Sequence, residues 1–162
     1  MRKSFHTHAR HALFGLGALL CFNLAALADD DHHGGRVPLS PQYKQECGSC
    51  HVPYPPGLLP AASWQRLMNN LPKHFGTDAS LDPAATKQLA AWLDANAGTG
   101  KRAREAPSQD RITKSAWFER KHDEVPAAAW KRPAIKSAAN CAACHPRAEQ
   151  GAFNEHDVRI PR

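Results

Sequence analysis

Two five-residue strings carry the chemistry available to this sequence: Cys47-Gly48-Ser49-Cys50-His51 and Cys141-Ala142-Ala143-Cys144-His145. Both read C-x-x-C-H. Two thiols three residues apart on one helical turn can each add to a vinyl group of a single porphyrin. The histidine that follows is then held beneath the iron as proximal ligand. A thioredoxin-like redox pair requires a βαβ setting, and no such pattern is visible. Zinc strings combine two cysteines with distant partners. Two disulfides would need no histidine after each pair. Duplication of the string with its histidine therefore predicts two covalently bound haem c groups, attached at Cys47, Cys50, Cys141 and Cys144.

The N-terminus carries Arg2, Lys3 and Arg10 with no acid, then an apolar run from Ala12 to Ala26 broken only by Asn23, ending in Ala26-Leu27-Ala28 before Asp29. This is the layout of a secretory signal peptide over residues 1–28, cleaved after Ala28, and it predicts a periplasmic protein. The run is short for a transmembrane anchor, and Leu20 stands before Cys21 where a lipoprotein signal wants a small residue. Cleavage removes Cys21 and leaves every mature cysteine inside a C-x-x-C-H string.

Cleavage also removes three basic residues and lowers the net charge from +6 to +3. Haem propionates lower it further, so no field for nucleic acid remains. Aromatic residues make up only 7% of the chain and mean hydropathy is −0.55. Porphyrin faces would supply apolar surface that this thin core lacks.

A first unit spans residues 36–98. Ser40-Pro41 reads as the cap and first position of a helix leading into the first C-x-x-C-H string. The stretch from Val52 to Pro60 is proline-stiffened and excluded from helix or ladder. Its carbonyls are acceptors for the His51 ring N–H. Ala62 to Leu71 reads as a short helix with Trp64, Leu67, Met68 and Leu71 on one side, ended by Pro72. Asp82-Pro83 opens another, with Leu89, Trp92 and Leu93 as its apolar face and Gly98 as its cap. Residues 99–110 lack apolar periodicity and read as a linker. There Lys101, Arg102 and Arg104 form a solvated basic run or a docking face for an acidic partner. A second unit, 111–162, is too short to fold without its cofactor. In it, Ser137 reads as the cap of a helix carrying the second string.

The sixth iron position separates electron transfer from ligand chemistry. The only mature methionine is Met68, so at most one haem can have His/Met ligation. His74 is the expected distal ligand of the first haem, with Met68 as the alternative, since Met68 lies one helical turn from Trp64 where a core role explains it. In the second unit the candidates are His122 and His156. His122 is preferred because it lies one turn beyond Trp117 and Phe118. His32 and His33 fall in an acidic, glycine-flanked stretch read as a solvated tail.

A haem-bearing helix, a proline loop, a ligand-bearing middle and a closing amphipathic helix resemble a class I cytochrome c. The stretches Glu46–Pro60, Lys73–Gly76, Trp117–His122, Asn140–His145 and Val158–Arg162 resemble the small dihaem cytochrome c family. That resemblance implies a mainly α fold: a class I-like N-terminal haem domain plus a small, loop-rich C-terminal haem domain. It implies bis-histidine ligation, through His51 with His74 and His145 with His122. It also implies transient redox partners, namely a high-spin monohaem cytochrome or a membrane b-type cytochrome, with no small-molecule substrate. The expected function is one-electron carriage, and enzymatic activity is not expected. The rival is a dihaem peroxidase or small reductase with one open iron; a haem-based sensor would need an output module, and none is apparent.

Overall fold

Ser40 accepts a hydrogen bond from the Tyr43 backbone N–H at 3.2 Å. With Pro41 in the first turn, it starts helix α1, Pro41–Gly48. The computed structural model describes residues 37–162, which belong to one compact unit. The signal peptide expected over 1–28, and His32 and His33, lie outside the described residues.

Helix α2 spans Ala61–Met68, ending three residues earlier than expected. Asn69 caps it, Asn70 leaves helical geometry, and a 3-10 turn at Leu71–Lys73 follows. Pro72 disfavours α geometry in the residue before it, so the helix stops ahead of Leu71 rather than at it. Helix α3, Pro83–Ala95, begins at Asp82, whose carboxylate accepts from the Ala84 and Ala85 backbone N–H groups at 2.9 Å. Its cap is Asn96, not Gly98. The Asn96 side-chain amide donates to the Trp92 carbonyl, closing the last turn two residues earlier.

Gly98 serves close packing instead. Its N–H donates to Leu59 O at 2.8 Å, and a β-carbon there would lie 2.4 Å from both the Gly57 carbonyl oxygen and the Ala103 β-carbon. The Val52–Pro60 stretch admits one 3-10 turn, Pro56–Leu58, because proline fits the first position of a helical turn.

Helix α2 packs on α3. Tyr43, Leu59, Trp64, Met68, Leu89 and Leu93 form the core between α1, the proline loop and these helices. Leu89 and Leu93 are each 1% exposed, and burying a leucine contributes roughly 1.5–3 kcal/mol. The Trp64 indole N–H donates to the Pro56 carbonyl at 2.8 Å, which satisfies its polar end inside the core.

Residues 99–110 lie against this core. They form 3-10 turns at Lys101–Ala103 and Ser108–Asp110, with Ala103 buried. Asp110 accepts two hydrogen bonds from the Arg66 guanidinium of α2, at 2.6 and 2.9 Å. The rest of the chain is dominated by 3-10 turns around one short helix, α4, Ala116–Lys121, which is capped by Ser115. Ser137 caps no helix. Lys136 takes a positive φ, the Asn140 side chain bonds back to the Ile135 carbonyl, and Cys141–Ala143 forms a single 3-10 turn. The stretch between Lys136 and Pro146 is too short to repay helix nucleation. No strand occurs among the described residues beyond an isolated His74–Thr77 bridge, and no described helix is long and apolar enough to cross a membrane.

Candidate haem sites

Cys47 lies in the last turn of α1, half-buried, while Cys50 follows the helix end and is exposed. His51 comes next, and its Nδ1 lies 2.7 Å from the Val52 carbonyl oxygen. A carbonyl only accepts, so Nδ1 carries the proton and Nε2 keeps its lone pair for a metal. Tyr54, three residues on, stacks its ring on His51 with centroids 4.8 Å apart and planes 20° apart.

His74 follows the Leu71–Lys73 turn. It is held by its N–H to Leu71 O and by Thr77 N–H to its own carbonyl. The chain reverses there through Phe75 and Gly76, with φ of 51° and 96°, the latter in a region where glycine avoids steric cost. This turn sets the His74 ring opposite His51, with centroids 6.3 Å apart and planes 19° apart. Phe75 is exposed, and the Arg111 guanidinium lies 4.2 Å from its ring centroid. A cleft of about 560 Å³ opens beside His74, lined also by Leu67, Lys73, Phe75 and Arg111. Met68 is 7% exposed and packs in the apolar core.

The second string repeats the arrangement with other parts. Cys141 and Cys144 flank the 3-10 turn, and His145 faces His122 with centroids 6.2 Å apart and planes 78° apart. His122 is delivered by the end of α4. Its Nδ1 lies 2.8 Å from the Phe118 carbonyl oxygen, one turn back, so its Nε2 is again the free lone pair. Phe118 stacks on the His122 ring at 4.0 Å and 20°, Trp130 stands at 5.9 Å, and Phe153 meets His145 edge-on at 5.4 Å. The C-terminal tail closes over this region through Arg159 N–H to Cys144 O and the Arg132 guanidinium to Pro161 O. His156 is exposed on that tail.

These separations suit one iron between each histidine pair. Two metal–imidazole bonds of about 2 Å, plus the offset of each ring centre from its nitrogen, span about 6 Å. Desolvation lowers the pKa of His74, and His51 and Arg111 lower it further. Burial lowers that of His145, with His122 adding to it. Both effects favour the neutral imidazole that binds metal. Burial pushes the Cys47 and Cys141 thiols up to about 11, assisted by Glu46 and Cys50 at the first and by Cys144 at the second. The four cysteines are unbridged, and no reactive thiolate is created at Cys47 or Cys141.

His74 Nδ1, His145 Nδ1 and Trp117 Nε1 are buried without a polypeptide partner. Buried polar groups left unpaired are rare, and two of these three belong to the facing histidines, one in each pair, as expected if a further component completes the sites. No group of three or more His, Cys, Asp or Glu suited to a bare metal ion occurs among the described residues. The donor sets therefore fit an iron already held in a macrocycle.

Sequence reasoning missed Tyr54 and Phe153 as site residues. Tyr54 donates its phenol proton to the Ala139 carbonyl at 2.9 Å, across 85 residues of sequence. Its pKa is pushed up to about 12 by burial, with Cys141 adding to it. The one available signal was its place three residues after His51, inside a proline-locked segment.

The dihaem cytochrome c family model matches residues 43–153. The chain is similar to the dihaem cytochrome type c from Shewanella baltica, at 40% identity and a TM-score of 0.67, over 77% of this chain and 95% of that one. It is similar to the dihaem cytochrome c from Rhodobacter sphaeroides in two structures. One gives 46% identity and a TM-score of 0.63 over 72% of this chain and 99% of that one; the other gives 45% and 0.63 over 70% and 96%. No curated protein matches. The mainly helical architecture, without strands among the described residues, matches these structures. With its duplicated attachment strings and their facing histidines, the chain belongs to the dihaem cytochrome c family, electron-transfer proteins that carry two covalently bound haem c groups.

Proposed function

We propose that this protein is a periplasmic one-electron carrier whose two haem irons are each held between two histidines, His51 with His74 and His145 with His122. Haem c supplies the one-electron Fe(III)/Fe(II) couple when bound. The single observation that supports the ligand assignment is the pair of facing imidazoles, 6.3 and 6.2 Å between centroids. Met68 is committed to the apolar core, and His156 is exposed on the tail, which supports His74 and His122 over those alternatives.

The polypeptide's tasks are to orient and to insulate. The Val52 and Phe118 carbonyls each hold the Nδ1 proton of one ligand and so fix its tautomer. Phe118 and Trp130 wall the second site with apolar surface. Held between two imidazoles in this way, neither iron would have room for substrate, which argues against a peroxidase or reductase. Two histidines in place of His/Met ligation also lower both potentials, because the potential-raising thioether is missing.

The exposed Cys50 supports a haem edge open to a partner, and contact there would be small and short-lived. By family resemblance the partner is a high-spin monohaem cytochrome or a membrane b-type cytochrome. The export signal expected over residues 1–28 supports the periplasmic assignment.

Replacing His74 or His122 with Ala tests the ligand sets. Each variant is expected to convert one of two low-spin haems to a high-spin form that binds carbon monoxide, leaving the other unchanged. Rapid carbon monoxide binding by the unmodified protein would instead favour the open-iron enzyme. A silent His122→Ala would move the second ligand to His156.

A further inference from the structure

Tyr54 touches both halves of the electron path. Its ring lies parallel to the His51 imidazole, 4.8 Å between centroids. Its hydroxyl donates to the Ala139 carbonyl, two residues before Cys141. Its backbone is fixed from the other side, where the buried Tyr43 hydroxyl donates to the Tyr54 carbonyl at 2.8 Å, and Pro53 and Pro55 on either side limit its φ/ψ freedom. Asn140, the next residue after Ala139, anchors the same segment to the Ile135 carbonyl. One side chain thus connects the first proximal histidine with the segment that attaches the second haem, by a ring contact at one end and a hydrogen bond at the other.

Resting on the two-haem reading above, we infer that Tyr54 is the positioning residue that sets electronic coupling between the haem sites, fixing the Cys141 attachment segment against the His51 ligand. The exchange it supports is balanced without chemistry on the tyrosine. One electron leaves Fe(II) at one haem and reduces Fe(III) at the other; no bond forms or breaks and no proton moves. Tunnelling depends steeply on distance and orientation, so a contact that fixes both governs the rate. The phenol bond itself has the modest strength of an exposed hydrogen bond, so its effect belongs to the geometry it holds more than to stability.

The test uses the full two-haem protein, with Tyr54→Phe removing the hydrogen bond and Tyr54→Leu removing the ring as well. Intramolecular exchange in the half-reduced protein is read from NMR line broadening, after mass spectrometry has counted the haems. The expected result is a rate lowered about threefold in Tyr54→Phe and about tenfold in Tyr54→Leu, with both haems still low-spin. In Tyr54→Leu the low-temperature signal of the first haem, but not the second, also shifts. A purely structural role would lower the melting temperature and leave the exchange rate of folded protein unchanged, and that result overturns the inference. Should Tyr54→Leu fail to take up haem, the isosteric Tyr54→Phe decides: an unchanged rate there overturns the role of the bond. Fewer than two haems on the unmodified protein would overturn the reading beneath, which is a different failure.

Discussion

His122 and His145 face each other across 6.2 Å with ring planes 78° apart, whereas His51 and His74 face each other across 6.3 Å only 19° from parallel. The difference follows from how the His122 and His74 rings are held. His122 is turned by its Nδ1 bond to Phe118 O and by stacking on the Phe118 ring, while His74 is set by the reversal at Phe75 and Gly76. Near-parallel imidazoles split the two iron d orbitals that point toward their π systems; near-perpendicular ones leave those orbitals close in energy. Low-temperature electron paramagnetic resonance of the oxidised protein is therefore expected to show two unlike low-spin signals, a rhombic one and a strongly anisotropic one. His122→Ala should remove the anisotropic signal and keep the rhombic one; the reverse would contradict the geometry.

Phe118 stacks on His122 and holds its Nδ1 through the backbone carbonyl, and it is 7% exposed. Phe118→Ala should cost about 3 kcal/mol in stability, the lower end for such truncations. A high-spin fraction should also appear at the second haem as His122 loosens. Denaturant melts and the visible spectrum check the two effects separately.

At Gly98 the neighbouring Gly57 carbonyl leaves no room for a methyl group. Gly98→Ala should destabilise by about 1–3 kcal/mol, the usual range for overpacking, through displacement of the proline loop relative to the end of α3. The expected readout is a lower melting temperature with a normal haem count.

The Arg66 guanidinium holds the Asp110 carboxyl below its ordinary value of 3.8. A carboxylate with a depressed folded-state pKa contributes stability that is fully present above the unfolded pKa and is lost as pH falls through the folded one. Asp110→Asn should therefore lower the melting temperature slightly at neutral pH. The difference from the parent should shrink below about pH 4 and in high salt.

The attachment strings were legible in the sequence because their chemistry is local: five adjacent residues hold everything that thioether formation and proximal ligation require. Ser40-Pro41 and Asp82-Pro83 were legible for the same reason, since a helix start is written within one turn. Helix ends and the second string were read less well. Asn69 and Asn96 ended their helices ahead of the expected Leu71 and Gly98, and a reversal at Lys136 stood where Ser137 was expected to open a helix; Pro72, the side-chain bonds of Asn96 and Asn140 and the positive φ of Lys136 decided the backbone. Tyr54 with Ala139, and Phe153 with His145, could not be read at all. Contacts made across the fold leave no periodic trace in sequence.

The most direct test of the central claim joins a mass spectrum of the purified mature protein to near-infrared magnetic circular dichroism of its oxidised form, which separates bis-imidazole from imidazole–thioether ligation. The account predicts a mass equal to the polypeptide from Asp29 plus two porphyrins, and bis-imidazole bands alone accounting for both irons. A mass of amino acids only, a thioether band or a stoichiometric high-spin haem would contradict it.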